Sequence, residues 1–193
     1  MARKRATTVD AVVDAAARVF ERKGYVDATI ADIAAEAGVS KPTVYQYAPN
    51  KRWLLETIVA QVIYPLRTSI DEIVESDDPL REKLLRYLAV QVDSAVRYRG
   101  YYAVLIADQH QLSPEALADY KAWAHDVNRI TADLLESCAD AGVVRADVDA
   151  TTMANLIIGM MMSVSRWYDE DGKFGPDEIL SQAVRLLSGY IVS

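Results

Sequence analysis

The polar side chains whose spacing could do chemistry lie just past residue 40. Lys41, Thr43, Tyr45, Tyr47 and Lys51 follow a Ser40-Lys-Pro42 step. Ser40 is a helix cap, and Pro42 falls in the first helical turn, where a missing N–H costs little. On such a helix Lys41, Thr43 and Tyr45 face outward. The chemistry is recognition: the first residues of a helix reach base edges in a DNA major groove. Tyr47 and Lys51 lie further along and suit phosphates, which position a protein without specifying sequence; Thr29, Ser40 and Pro42 complete the set of candidate DNA-binding residues. Bond-making patterns are missing. His110 and His125 are fifteen residues apart, not the i, i+4 spacing of a helical zinc site. There is no Gly-x-Ser-x-Gly and no phosphate loop. Asp169-Glu-Asp-Gly172 lacks the alternating oxygen ligands and terminal glutamate of a calcium loop. The expectation is a protein that is not an enzyme and needs no metal or cofactor.

The elements that hold these residues read backwards from Ser40. Thr29 caps a preceding helix, and Ile30, Ile33 and Ala34 fall on one face of it. Gly38 ends it, because the turn needs a residue that tolerates positive φ. Val44 points back to the core. Ala34, Gly38 and Val44 thus supply the small contact residue, turn glycine and aliphatic anchor of a helix-turn-helix. Charge agrees. Residues 1–52 hold nine Lys/Arg against six Asp/Glu, net +3, and the remainder twelve against twenty-two, net −10, on a chain of net −7. A basic end on an acidic protein is a local nucleic-acid footprint. Arg3-Lys4-Arg5 reads either as an arm along phosphates or the minor groove, or as a solubilising tail.

This block resembles the DNA-binding domain of the tetracycline-repressor (TetR) family of bacterial regulators. The matching pieces are Phe20-Glu-Arg-Lys-Gly-Tyr25, Thr29-Ile-Ala-Asp-Ile-Ala34, Ala37-Gly-Val-Ser40, Val44-Tyr-Gln-Tyr47 and Asn50-Lys51. The resemblance is close over about the first 55 residues and loose over the helical layout beyond. One position departs: Ala48 stands where the family usually has phenylalanine. Truncating an aromatic leaves a void unless something fills it, and Trp53 is the candidate filler. The resemblance implies a ligand-responsive transcriptional regulator, usually a repressor, that binds operator DNA as a dimer.

The rest of the chain is helical by its punctuation, with no convincing strand alternation. Residues 7–23 form a first helix with Val9, Val12, Val13, Ala16 and Phe20 on one stripe. A helix from Pro49-Asn50 to about Glu75 should kink or break at Pro65. Further helices run from Asp78-Pro79 to Gly100, Tyr101 to Gln109, Ser113 to Ala141, Asp147 or Asp149 to Tyr168, and Gly175-Pro176 to about Ile191. The fold class is all-α, about nine helices. Residues 1–52 are a three-helix DNA-binding domain and 53–193 a ligand-binding and dimerisation domain. The 149–168 helix is apolar around much of its circumference, so it must bury more than one face. Met153, Leu156, Ile157, Met160 and Val164, with Leu180, Val184 and Leu187 of the last helix, are the candidate homodimer surface. A central core helix of a monomer is the other reading. The resemblance pairs the last two helices with their copies as a four-helix bundle.

A mostly apolar cavity with a few polar groups is the usual small-molecule site. Tyr102, Trp123 and Met161 are candidates to line one, with Arg97 or Arg99 to meet phosphates. Arg166-Trp-Tyr-Asp-Glu-Asp-Gly-Lys-Phe-Gly-Pro-Asp-Glu-Ile179 is similar to a C-terminal signature in a lipid-regulating branch of the family, several members of which respond to acyl-CoA thioesters. The implied effector is small and hydrophobic: an acyl-CoA or lipid-derived molecule. No apolar run spans a membrane, and no apolar core follows the N-terminal charges, so no secretory signal is expected. Cys138 is the only cysteine, which fits a reducing cytoplasm. The competing reading is a helical interaction protein with a vestigial DNA reader.

Overall fold

The computed structural model describes residues 8–192. Among them run nine α-helices: α1 Val9–Lys23, α2 Ile30–Glu36, α3 Lys41–Tyr47, α4 Lys51–Glu75, α5 Leu80–Arg97, α6 Arg99–Asp108, α7 Pro114–Asp140, α8 Ala150–Trp167 and α9 Pro176–Leu186. Short 3-10 turns follow at Gln109–Gln111 and Leu187–Gly189. The one extended feature among the described residues is an isolated antiparallel bridge between Val144 and Ile191. The chain divides into two compact units. One takes the described residues up to Val62 together with Gly100–Tyr120; the other takes Ile63–Arg99 and Lys121 onward. By contact, then, the unit holding the helix-turn-helix also takes in residues 53–62 and 100–120.

In the first unit α1 packs on α2 and α3, and α2 on α3. Val12, Val13, Ala16 and Phe20 are buried as their stripe requires, whereas Val9 is exposed on the first turn. Thr8 caps α1, its hydroxyl accepting from Ala11 N. Phe20 meets Tyr25 edge-on, ring centroids 5.3 Å apart. α2 closes in a Schellman turn: Val39 N donates to Ala34 O at 2.9 Å and Gly38 N to Ala35 O at 3.2 Å. That turn places Gly38 at φ 66°, where an L side chain is strained.

Of the kink or break expected at Pro65, no break occurs. α4 runs through it as one 25-residue helix. Pro65 is exposed, and an exposed helix face is where a missing backbone bond is best tolerated, since water can serve the freed carbonyl.

In the second unit α5 packs against α8 and α9. Leu84, Leu88, Val92, Leu135, Ala154 and Ile157 belong to its core. A polar ladder is buried in the same unit. Gln91 Nε2 donates to the Tyr87 hydroxyl at 2.7 Å, Tyr87 and Thr131 share a hydrogen bond of 2.5 Å, and Thr131 Oγ1 donates to Val127 O at 2.7 Å. Burial pushes the Tyr87 phenol above its ordinary range, so it stays a neutral donor. The C-terminal segment is clipped down. Arg145 N donates to Tyr190 O, Val192 N to Val143 O, and Arg81 Nη1 to Val192 O.

Candidate nucleic-acid interface and apolar face

The candidate reader helix α3 is set by its cap. Ser40 has extended backbone angles, and its hydroxyl accepts from Thr43 N at 3.3 Å. The Ser40 and Thr43 hydroxyls also bond each other at 2.8 Å. Val44 is fully buried beneath them. Ala48 is fully buried too, so the position where the family carries phenylalanine is closed to solvent, and Trp53 stays half-buried nearby in sequence. Lys41, Pro42 and Gln46 are exposed, as is Tyr45 at 55%. Tyr47 is half-buried.

One helix earlier, Thr29 and Asp32 form a reciprocal capping box. Asp32 N donates to Thr29 Oγ1, and Thr29 N and Oγ1 both donate to Asp32 Oδ2. Lys23 Nζ sits 2.7 Å from Asp32 Oδ1. The Lys23 bond first, then those from Thr29, hold the Asp32 carboxyl at about 2. Glu36 is held below its ordinary range in the same way, by Arg18 at 2.7 Å and Arg22 at 2.9 Å.

Arg18, Arg22 and Lys23 are spent on bracing α1 against α2. Lys51 has a similar post. Its ammonium donates to the carbonyls of Tyr25, Val26 and Ala28 at 2.6, 3.1 and 2.8 Å and lies 4.4 Å from the Tyr25 ring centroid. It therefore holds the α1–α2 turn, and Thr29 holds the start of α2. Among the described residues, the cations of this region that meet no carboxylate or carbonyl are Lys41 and Arg52. Arg3-Lys4-Arg5 lie outside the described residues.

Three bonds bring residues 100–120 into the same unit: Tyr101 hydroxyl to Asp14, Tyr25 N to Asp108 Oδ2 at 3.1 Å, and Ser113 N to Glu56 Oε1 at 3.2 Å. Sequence reasoning missed all three, because each joins residues more than fifty positions apart.

The candidate effector residues are placed as follows. Tyr102 is buried in the first unit. Met161 is in the core of the second, with Trp123 half-buried against that core. Arg97 is exposed and pairs with Asp93, and Arg99 is exposed and donates to Tyr168 O at 3.0 Å. The buried ladder of Tyr87, Gln91 and Thr131 was missed; on sequence alone these residues look like ordinary helix-surface types.

The candidate dimer residues divide. Ile157, Val164 and Leu187 are buried in the chain's own core, and Met153, Met160, Leu180 and Val184 pack partly against it. Leu156 is 62% exposed. Leu186 and Trp167, at 73% and 56%, carry the face further, and Phe174 joins them. Between α8 and α9 lies an apolar groove of about 330 Å³, lined by Met160, Met161, Val164, Trp167, Phe174 and Leu186 among others. Among the described residues no helix is long and apolar enough to cross a membrane.

Comparison with known proteins agrees with this layout. Residues 6–58 match the family model for bacterial regulatory proteins of the tetR family, and residues 77–191 the tetracyclin repressor-like C-terminal domain. The chain is 24% identical over 185 residues to the transcriptional regulator MftR of Mycobacterium tuberculosis H37Rv, covering 94% of this chain and 89% of MftR. Its fold is similar to that of the ketosteroid transcriptional regulator KstR2 of Mycobacterium tuberculosis, with TM-score 0.89, 18% identity and 98% of each chain covered. It is also similar to AibR in complex with isovaleryl coenzyme A and operator DNA, with TM-score 0.78, 22% identity, and 95% and 99% covered. With both its capped reader helix and its C-terminal helices matched, the chain belongs to the TetR family of transcriptional regulators.

Proposed function

We propose that this chain represses transcription as a homodimer on a near-palindromic operator and is released by a small hydrophobic effector of acyl-CoA or lipid-derived type. The observation that carries the DNA-binding half is the capped α3, which presents Lys41 and Tyr45 to solvent while Val44 and Ala48 anchor it. Residues 1–52 read DNA, and 53–193 bind effector and dimerise, in the bacterial cytoplasm. Dimerisation is supported by the exposed apolar face of α8 and α9, because large contiguous apolar patches on soluble proteins mark contact sites. Two readers about 34–36 Å apart enter successive major grooves, which is why the site is near-palindromic. The effector class is supported by AibR, whose structure holds isovaleryl coenzyme A with operator DNA, and by the ketosteroid regulator KstR2.

The mechanism is a shift between two states. α4 begins at Lys51, directly after the reader, and continues into the second unit. An effector that binds the non-DNA state more tightly moves α4, reader separation changes, and operator affinity falls.

The test is to incubate purified protein with fragmented DNA from its source genome and sequence what it retains. Enrichment of one near-palindromic site supports the proposal. Failure to enrich, from folded dimer stripped of ligand by refolding, refutes it. Acyl-CoAs of graded chain length are then added to the operator complex. Release by none of them, with no thermal shift, removes the acyl-CoA class.

A further inference from the structure

The surface of α3 holds a carboxamide that no contact among the described residues uses. At about 100° per residue, Val44 and Ala48 share one line along α3, and both are fully buried. Gln46 lies two residues from each, so it points about 200° away from both, straight out from the core. Pro42, four residues earlier, is on the same outer line and has no side-chain donor or acceptor. The neighbouring polar groups are committed. The Ser40 and Thr43 hydroxyls bond each other, Thr29 is bonded to Asp32, and Lys51 is bonded to three carbonyls. Gln46 is exposed, and among the described residues its carboxamide makes no hydrogen bond. Lys41 and Arg52, the exposed cations without an internal partner, stand five residues before it and six after it, and cations draw the phosphate backbone of a duplex to this region.

We propose that Gln46 is a base-reading residue of α3, its carboxamide closing a bidentate pair with an adenine in the major groove. A planar amide offers one acceptor and one donor at fixed spacing. Adenine presents the N6 amino donor and the N7 acceptor on that edge, a pattern no other base repeats. Lys41 and the Tyr45 phenol can approach either phosphate or base; the amide is the group whose geometry encodes one base. The assignment rests on the DNA-reading function and the dimer proposed above.

Full-length wild type, Gln46→Ala and Gln46→Glu are each selected against a randomised double-stranded DNA pool, and the bound motifs are sequenced. Far-UV circular dichroism checks folding, which an exposed side chain leaves intact. The wild-type motif carries adenine at one pair of symmetry-related positions. Gln46→Ala loses that preference alone and binds the wild-type site about tenfold more weakly. Gln46→Glu replaces adenine by cytosine, because a carboxylate accepts from the cytosine amino group. Unchanged motifs in both variants overturn the assignment. So does uniform weakening on every sequence, which marks a phosphate contact. If folded wild type enriches no motif, the DNA-reading proposal fails first and this assignment falls with it, an outcome distinct from the other two.

Discussion

Residue types that look interchangeable on the sequence have separate duties. Lys41 and Lys51 are both cations near the reader, but Lys41 is exposed, whereas Lys51 bonds three carbonyls. Lys51→Met keeps the stem and removes the donor. It should destabilise the protein by about 2 kcal/mol, since bonds from charged donors are the strong ones. Lys41→Ala and Tyr45→Ala should leave the urea midpoint in place while lowering operator affinity. Equal losses of stability for Lys41→Ala and Lys51→Met would contradict this division. Asp32 adds a pH signature. Its folded value of about 2 lies below its ordinary 3.8. Its contribution is therefore full above about pH 4, the unfolded range, and is lost as pH falls through the folded value. Thermal midpoints of wild type and Asp32→Asn, followed from pH 5 to 2, should converge toward the acid end. A constant gap would show that the charge plays no part.

At the scale of elements, the α2–α3 turn depends on one backbone conformation. A Cβ at Gly38 would meet no atom within 4 Å, so the cost of substitution there is conformational. At φ 66°, Gly38→Ala should lose about 1–2 kcal/mol in chemical denaturation, with helix content retained. A neutral result would mean the turn relaxes out of the left-handed region. α4 shows the opposite behaviour. Pro65 does not interrupt it, and its exposure explains why. The helix therefore runs unbroken from Lys51 to Glu75. The unit that holds the helix-turn-helix also holds residues 100–120, through the Tyr101–Asp14, Asp108–Tyr25 and Glu56–Ser113 bonds.

For the whole molecule, the proposed dimer depends on the exposed apolar face of α8 and α9. Leu186 is exposed on the rim of a groove of about 330 Å³, and Leu156 is exposed one helical turn before Met160 of that groove. Leu186→Glu places a charge on that face without touching the core residues Ile157 and Val164. It should convert the dimer to a folded monomer by sedimentation and abolish tight operator binding, because the two half-sites would then be bound independently. A dimer that survives both Leu186→Glu and Leu156→Glu would move the interface elsewhere.

The helix-turn-helix was legible in the sequence because its determinants are local. Thr29, Ser40 and Gly38 each act within a few residues, through a cap or a positive φ, and those rules do not depend on the rest of the fold. The helical layout and the family followed from the same short-range punctuation and motifs. What local pattern could not decide is which of two similar side chains is free. Helical period marked Ile157, Val164 and Leu187 as apolar but could not tell core from outer face, which depends on where α5 packs. Arg18 and Arg22 counted only toward the basic end until Glu36 stood beside them, and the three carbonyls that Lys51 meets come from another element. Gln46 likewise became distinctive only once Val44 and Ala48 were seen buried opposite it. Residue type and spacing determine which element forms; which side of it remains available is fixed by long-range packing, and only the tertiary structure supplies that.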